Sequence, residues 1–322
     1  MMMKSDLRIV FMGTPDFAIP SLEMLLREGY RVEAVITQPD RMSGRGHKTL
    51  PPPVKEFAIE HGIQVFQFEK LSKEGAETIR GLNPNLLITA AYGQIISQEI
   101  LDIPEFGCIN VHGSLLPKYR GAAPIEWSVI DGERVTGITT LMTVFKLDAG
   151  DMLEKDETVI LPDETGGELR ERLSHLGART LSRTLVKLCD GTLRRTPQNE
   201  SEATSCSVFK KGFGKLNALN SCADIVNLVR GLNPAPCAYF MEGDNRVRVL
   251  TARKYSDDMT GQPGRFVAAD SKQGLLLQAG DGIVELVQIK YPGGKAMNAK
   301  DFLRGKGQKI AWDNLMLTAE EP

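Results

Sequence analysis

Residues 7–37, LRIVFMGTPDFAIPSLEMLLREGYRVEAVIT, decide the fold class of this chain. Leu7–Met12 is a continuous apolar run closed by a turn, and apolar residues at helical spacing continue to Arg27. Val32–Thr37 is a second apolar run, so the segment predicts a strand, a helix and another strand. Two strands joined through a helix imply a parallel sheet, whose functional loops gather at the carboxyl ends of the strands.

Composition and motif content argue against several classes of protein. The 322 residues are 42% hydrophobic and 25% charged, as in ordinary globular proteins. No apolar run approaches the roughly 18 residues of a membrane span, so we expect a cytoplasmic protein without a membrane partner. Five scattered cysteines indicate neither a disulfide framework nor a metal site. Gly13 stands alone where a dinucleotide fingerprint needs three glycines.

A second stretch, CINVHGSLLPKYRGAAP at residues 108–124, carries the candidate chemistry. It begins as a predicted strand in which alternation places Asn110 and His112 on one face. A carboxamide can donate hydrogen bonds to a developing oxyanion, and an imidazole can act as acid, base or second donor. We expect Asp148, after the strand predicted for residues 137–146, to meet them and fix the tautomer of His112. The alternative is that these residues are polar caps on strand ends.

Residues 38–53, QPDRMSGRGHKTLPPP, form a glycine- and proline-rich stretch with a single acidic residue and several basic ones. A connection of about 16 residues without regular structure is long for a compact domain and is more often functional. We expect a mobile loop that could close on an anionic partner. The plainer alternative is an ordinary exposed connection.

The C-terminal third is predicted to form a separate domain. Residues 191–208 are polar and predict a linker between a first domain at 1–190 and a second at 209–322. In the second domain, five short alternating segments with glycine-rich turns are typical of a small OB-type barrel. Residues 205–322 hold 16 Lys and Arg against 12 Asp and Glu, which indicates contact with a polyanion or a chance surface imbalance.

Taken in order, these motifs resemble the formyltransferases that use 10-formyltetrahydrofolate. Asn110-x-His112-x-Ser114-Leu115-Leu116-Pro117, with Asp148 in LDAGD, is similar to the signature of that family. Further similar segments, spread over the full length, are Gly13–Phe17, Thr37–Arg41, Gly44–Gly46, Ala91–Gly93, Arg120–Pro124 and Asn233–Pro234. The resemblance implies an α/β, Rossmann-like formyltransferase domain with a parallel-rich sheet, followed by a C-terminal OB-like β-barrel domain, in a monomer.

The resemblance also implies a reaction, in which a formyl group passes from 10-formyltetrahydrofolate to the amino group of methionine on initiator tRNA. The amine attacks the formyl carbon, so an oxyanion develops while the folate nitrogen must leave with a proton. Asn110 and His112 would face the oxyanion and the leaving nitrogen. Asp148 would hold His112 or relay the proton of the amine.

The resemblance assigns the binding residues as well. Ser114, Leu115, Leu116 and Pro117 would form a wall of the folate pocket, with Tyr92 and Gln94 beside the pteridine edge. Adjacent residues in an extended turn face opposite ways, so we expect at least one of the two leucines to pack in the core. In the basic loop, Arg41, Arg45 and Lys48 would contact tRNA. Further candidates for tRNA contact are Lys210, Lys211, Lys290, Lys295, Lys300, Arg304 and Lys306.

Two other functions remain open from the sequence. A formyltransferase for an amino sugar nucleotide would share the three catalytic candidates and differ in its acceptor. A noncatalytic RNA-binding protein would keep the barrel and the basic loop without the chemistry. The chain also departs from the family at Lys215-Leu216-Asn217, where an acidic segment containing Asp-Trp is usual, which affects the tRNA contacts expected there.

Overall fold

The protein is described here by a computed structural model that covers residues 2–43 and 48–317. The chain forms two compact units. Unit 1 comprises Met1–Pro124, Val135–Thr158 and Arg170–Cys206, and unit 2 comprises Ile125–Arg134, Val159–Leu169 and Ser207–Pro322. Within the described ranges, none of the helices has the length and apolar character that crossing a membrane requires.

The secondary-structure elements alternate through the first half of the chain, while strands dominate the C-terminal third. The helices are α1 (Ile19–Arg27), α2 (Pro53–Glu60), α3 (Leu71–Glu74), α4 (Ala76–Leu82), α5 (Gln98–Leu101), α6 (Pro124–Ile130), α7 (Gly166–Asp190), α8 (Cys222–Gly231) and α9 (Ala299–Arg304). The strands are β1 (Arg8–Gly13), β2 (Arg31–Thr37), β3 (Arg41–Ser43), β4 (Lys48–Leu50), β5 (Val65–Gln67), β6 (Leu86–Ala90), β7 (Cys108–His112), β8 (Arg120–Gly121), β9 (Val135–Met142), β10 (Met152–Val159), β11 (Ser205–Cys206), β12 (Ala238–Glu242), β13 (Asn245–Ser256), β14 (Phe266–Asp270), β15 (Gly274–Ala279), β16 (Gly282–Lys290) and β17 (Met297–Asn298).

Unit 1 is built on a seven-stranded sheet in the order β10-β9-β7-β6-β1-β2-β5. The pairs β1–β2, β1–β6, β6–β7 and β2–β5 are parallel, which confirms the mixed α/β fold with a mostly parallel sheet. The central strands carry continuous apolar runs because both faces are covered, and every residue of Leu86–Ala90 is buried. This packing fixes β7 rigidly beside β6.

One strand of the sheet runs the other way. β9 is antiparallel to β7, with His112 opposite Thr139 and Ile109 opposite Met142. The strand predicted over 137–146 therefore ends at Met142, beside the start of β7 rather than its carboxyl end. We expected Asp148 to follow a strand that ends beside the carboxyl end of β7. This expectation was wrong, because β9 ends six residues before Asp148 and beside the start of β7. The chain after Met142 has to return towards the carboxyl end of β7 before it enters β10.

The glycine- and proline-rich stretch at 38–53 contains regular structure, which corrects the expectation of a connection without any. β3 and β4 form an antiparallel pair in which Arg41 is opposite Leu50 and Met42 is opposite Thr49. Gln38 anchors the base of this pair, because its Nε2 donates to the main-chain carbonyl of Tyr92 at 3.0 Å. Arg45 and the side chain of Lys48 lie outside the described residues.

Unit 2 contains a six-stranded sheet in which β12-β13-β16-β15-β14 are neighbours and β17 pairs with β16. The pairings between these six strands are antiparallel. Its core centres on three aromatic rings, since Phe266 packs edge-on against Phe240 and Trp312 at centroid distances of 5.8 and 5.2 Å. The predicted five short strands are all present, and β13 is longer than the sequence indicated.

Candidate active site

Strand β7 presents the side chains of Asn110 and His112 to one carboxylate, that of Asp148. The Nδ2 atom of Asn110 lies 3.3 Å from Oδ1 of Asp148. The Nδ1 atom of His112 lies 3.6 Å from Oδ2 of the same group, and the side chains of His112 and Asp148 are only 5% and 10% exposed. Contact with a shared carboxylate places Asn110 and His112 on one face of β7, where strand alternation predicts them.

Asp148 is held in an unusual backbone conformation between β9 and β10. Its φ is +48°, in the left-handed region that residues with a Cβ seldom adopt. The main-chain N–H of Gly121 donates to Oδ2 at 2.8 Å, so each carboxylate oxygen has a donor. Strain of this kind persists only where surrounding contacts impose it, and it occurs often at functional sites.

The hydrogen bond on the far side of His112 determines which ring nitrogen faces the site. Nε2 of His112 lies 2.9 Å from the main-chain carbonyl oxygen of Tyr119. A carbonyl oxygen can only accept, so Nε2 carries a proton and donates it. Nδ1, on the side of Asp148, is therefore the nitrogen that can take up or release a proton during a reaction.

The orientation of the Asn110 carboxamide is fixed by Thr89 of β6. The hydroxyl of Thr89 donates to Oδ1 of Asn110 at 2.8 Å, and the two residues pair directly across β6 and β7. Since Oδ1 accepts from Thr89, Nδ2 must face the site as a donor. Nδ2 has two protons, and its 3.3 Å contact with Asp148 uses one of them. The second can be donated to a developing oxyanion.

The segment after β7 forms a tight turn stabilised from within. The buried hydroxyl of Ser114 donates to the carbonyl of Lys118 at 2.7 Å. Thr139 of β9 donates to the carbonyl of Ser114 at 2.7 Å and accepts from the N–H of Leu116 at 3.1 Å. Leu116 is fully buried, which agrees with the expectation that at least one of the two leucines packs in the core. Leu115 is half-buried, so Leu115 is the leucine that could contact a ligand.

Two further contacts fix the end of this turn. The ammonium group of Lys155 in β10 donates to the main-chain carbonyl of Leu116. Burial lowers the pKa of Lys155 from its ordinary value. The carbonyl of Pro117 accepts from the N–H of Thr204 at 3.2 Å. The wall predicted for the folate pocket is therefore braced by residues distant in sequence.

Tyr92 and Gln94 lie in the loop after β6. The side chain of Tyr92 is buried, and that of Gln94 is hydrogen-bonded to the main chain of the protein. The ring of Tyr92 is buried, and burial raises the pKa of its hydroxyl strongly. The amide of Gln94 accepts from the N–H of Leu71 at 2.8 Å and donates to the carbonyl of Phe68 at 2.9 Å. The side chains of Tyr92 and Gln94 are therefore occupied within the fold, and their contact with the pteridine edge stays a prediction.

Of the three tRNA-binding candidates in the basic loop, Arg41 is the one with a side chain among the described residues. It is exposed, and its guanidinium donates to Oε1 of Gln38 at 2.9 Å. The neighbouring Asp40 accepts from Lys55 at 2.7 Å, and this bond lowers the pKa of Asp40, with a further contribution from Gln67. Because Asp40 is paired with Lys55, the positive charge of Arg41 is left facing solvent.

Three residues at the site were not identified from the sequence: Arg120, Gln198 and Glu200. The guanidinium of Arg120 is buried and donates to Oε1 of Gln198 at 2.9 Å and to both carboxylate oxygens of Glu200, at 3.2 and 2.9 Å. Lys146 also binds Glu200 at 2.9 Å. Residues 191–206 thus belong to unit 1, and β11 pairs with β8 next to the site. The sequence offered the arginine in RGAAP as a signal, and the structure supplies the reason for its acidic partner, because a buried arginine needs one.

Two regions of the sequence match models of known protein families. Residues 7–185 match the sequence model of the family described as "Formyl transferase", and residues 209–307 match that of "Formyl transferase, C-terminal domain". The chain belongs to the formyl transferase family.

Curated relatives match over nearly the whole chain. A methionyl-tRNA formyltransferase of Ruminiclostridium cellulolyticum is 48% identical over 94% of this chain and 99% of its own. A protein of the same name from Acetivibrio thermocellus is 49% identical over 93% and 96%.

Solved structures show the same fold at low sequence identity. One is a sugar 3N-formyl transferase crystallised in the presence of dTDP and 5-N-formyl-THF, with a TM-score of 0.65 at 16% identity, covering 90% of this chain and 99% of that one. Another is HypX from Aquifex aeolicus in complex with tetrahydrofolic acid, with a TM-score of 0.62 at 16% identity, over 94% of this chain and 48% of that one.

Proposed function

We propose that this chain is a methionyl-tRNA formyltransferase, which transfers the formyl group of 10-formyltetrahydrofolate to the amino group of methionyl initiator tRNA. The product, N-formylmethionyl-tRNA, starts protein synthesis. The observation that carries the proposal is the convergence of Asn110, His112 and Asp148 in a member of the formyl transferase family. The high identity to curated methionyl-tRNA formyltransferases supports the choice of acceptor.

In the proposed mechanism, the amine nitrogen attacks the formyl carbon and the carbonyl electron pair moves to oxygen. The second N–H of the Asn110 carboxamide donates a hydrogen bond to that oxyanion and keeps its proton. The proton of the attacking ammonium passes to Nδ1 of His112 or to the carboxylate of Asp148, which lie 3.6 Å apart. Collapse of the adduct re-forms the carbonyl and breaks the bond to the folate nitrogen, which takes up a proton from the same pair.

The substrates are proposed to approach the trio from two sides. Ser114–Pro117 forms the folate wall, with the half-buried Leu115 against the pteridine or its benzoyl arm and the main chain at Tyr92 and Gln94 along the edge. On the other side, Arg41, Arg45 and Lys48 contact phosphates of the acceptor stem. Counterion release at these phosphates makes the affinity for tRNA fall steeply with salt, whereas the affinity for folate changes little.

The division of labour follows the two matched family regions. We propose that residues 1–190 carry the reacting groups, that 191–208 connect the two domains and also support the catalytic one through Gln198 and Glu200, and that 209–322 form an OB-like barrel that binds tRNA. Catalysis needs one copy of each catalytic residue, all from one chain, so the enzyme is proposed to act as a monomer. Because its acceptor is charged tRNA, the enzyme is proposed to work in the cytoplasm.

A substrate competition tests the proposal directly. The protein is incubated with 10-formyltetrahydrofolate carrying a labelled formyl group, and with either methionyl initiator tRNA or an amino sugar nucleotide. We expect label on the methionine of the tRNA. Labelling of the sugar alone would refute the proposed acceptor, and tRNA binding without transfer would indicate the noncatalytic alternative.

A further inference from the structure

The side-chain amide of Gln198 binds the main chain on both sides of the Asp148 turn. Its Nε2 lies 2.7 Å from the carbonyl oxygen of Asp148 and 2.8 Å from that of Gly150. Both protons of the amide are therefore donated to one short piece of backbone. Gln198 itself comes from the polar segment after α7, about 50 residues further along the chain than Asp148.

We propose that Gln198 is a positioning residue for catalysis, which holds the carboxylate of Asp148 in register with Asn110 and His112. The inference rests on the proposed function, because it assumes that Asp148 acts in formyl transfer. The amide of Gln198 binds Asp148, Gly150 and Arg120, so it acts through the backbone of Asp148.

The other end of the Gln198 amide closes a ring of contacts around Asp148. Oε1 of Gln198 accepts from Nε of Arg120 at 2.9 Å. The next residue after Arg120 is Gly121, whose N–H donates to the carboxylate of Asp148 at 2.8 Å. Both the carbonyl and the carboxylate of Asp148 are thus connected to the Arg120–Gly121 segment. The carbonyl is connected through Gln198, and the carboxylate binds the N–H of Gly121 directly. This double attachment sets the direction of the carboxylate.

Arg120 is itself fixed, so the ring has a rigid base. Its buried guanidinium makes a bidentate ion pair with Glu200, and β8 pairs with β11 through Arg120 opposite Ser205. Bidentate pairs of this kind restrict the guanidinium to one orientation. Oε1 of Gln198 therefore has a donor in a defined place, which in turn fixes the orientation of its amide.

Asp148 needs such support because the adjoining loop offers little packing of its own. Val144, Phe145 and Leu147 are 44%, 70% and 67% exposed. Asp148 has a left-handed backbone, which costs energy for a residue with a Cβ. Without the two bonds from Gln198, the turn can relax and carry the carboxylate away from His112.

Kinetics of Gln198→Met test the proposal, because methionine keeps the length of the side chain and removes both donors. We expect kcat to fall by about 10- to 100-fold, since a displacement of about 1 Å at a catalytic group has effects of this order. The KM values for 10-formyltetrahydrofolate and for charged tRNA should stay within about 3-fold. Gln98→Met makes the same exchange at an exposed position of unit 1 and should leave kcat unchanged.

A double-mutant cycle separates positioning from a general structural role. If Gln198 acts through Asp148, Gln198→Met should lower kcat little in an Asp148→Asn background, within about 3-fold in single-turnover assays. An equal loss in both backgrounds, or a wild-type kcat in Gln198→Met, would overturn the proposal. Should Gln198→Met fail to fold, Gln198→Asn keeps the amide on a shorter side chain; a wild-type kcat in that variant would overturn the proposal too.

The same measurements distinguish this inference from the proposed function. A wild-type protein that does not formylate methionyl initiator tRNA would refute the function itself. An Asp148→Asn variant with wild-type kcat would refute the role of Asp148 and, with it, the positioning by Gln198. Active wild-type protein, impaired Asp148→Asn and unimpaired Gln198→Met would refute the positioning alone.

Discussion

Replacing Asp148 with asparagine tests the electrostatic part of the site while nearly keeping its shape. In the wild-type protein, the N–H of Gly121 donates to Oδ2 of Asp148 at 2.8 Å, and the oxygen of the new amide can still accept this bond. Its NH2 group then faces Nδ2 of Asn110, so a hydrogen bond of 3.3 Å becomes a contact between two donors. The negative charge opposite His112 is lost altogether.

The size of the effect follows from the distance between charges. Nδ1 of His112 and Oδ2 of Asp148 are 3.6 Å apart, and two unit charges at this separation attract by about 4 to 5 kcal/mol at an effective dielectric constant of about 20. The attraction acts only while His112 is positively charged, as it is when the proton of the attacking ammonium passes to Nδ1 of His112. The loss therefore falls on kcat, and an attraction of about 4 to 5 kcal/mol corresponds to an upper bound of about 1,000- to 5,000-fold.

Rapid-quench measurement of N-formylmethionyl-tRNA under saturating substrates gives kcat for this comparison. We expect Asp148→Asn to lower kcat by 100- to 1,000-fold (about 3 to 4 kcal/mol) with KM nearly unchanged. Asp151→Asn removes a carboxylate three residues further along and should retain wild-type kcat. A kcat within about 10-fold of wild type in Asp148→Asn would refute the charge-based reasoning.

Three further outcomes are expected. Thr89→Val removes the hydroxyl that orients Asn110, so kcat should fall by about 10-fold (about 1.4 kcal/mol) without a change in KM; an unchanged kcat, measured in the same quench assay, would show that the amide orients itself. Hydrogen bonds from Arg120 and, to a smaller extent, from Lys146 lower the pKa of Glu200 from 4.5 to about 2. The contribution of these bonds to the free energy of unfolding is therefore present above pH 4.5 and is lost as pH falls towards 2. The Tm difference between wild type and Glu200→Gln at low salt should therefore be larger at pH 7 than at pH 3.5, and a difference independent of pH would contradict this. Burial raises the pKa of Cys108 to about 11, so mass spectrometry should find Cys108 unmodified after iodoacetamide treatment of the folded protein at pH 8, and rapid labelling would contradict its burial.

The sequence predicted the parts of the site that depend on periodicity within one strand. Alternation along β7 was enough to place Asn110 and His112 on one face, and both contact the carboxylate of Asp148. Continuous apolar runs were enough to predict the buried parallel strands, because residues covered on both faces of a sheet must be apolar. The split between buried Leu116 and half-buried Leu115 also followed from local geometry.

The sequence could not predict the features that depend on direction and on distant pairing. Periodicity is the same in a parallel and an antiparallel strand, so nothing in residues 137–146 indicated that β9 runs against β7. Gln198 and Glu200 were included in a predicted linker because polar composition is typical of linkers. Their polar groups instead bind backbone carbonyls and a buried arginine, a use that composition does not reveal.

The position of Gln198 and β11 in the chain has a consequence for synthesis. The match to the catalytic family region ends at residue 185, whereas unit 1 includes residues up to Cys206. A growing chain acquires Asn110, His112 and Asp148 early, but the segment that ties down Asp148 leaves the ribosome later. Full formylating activity should therefore be reached only after residue 206 has been translated and has cleared the exit tunnel.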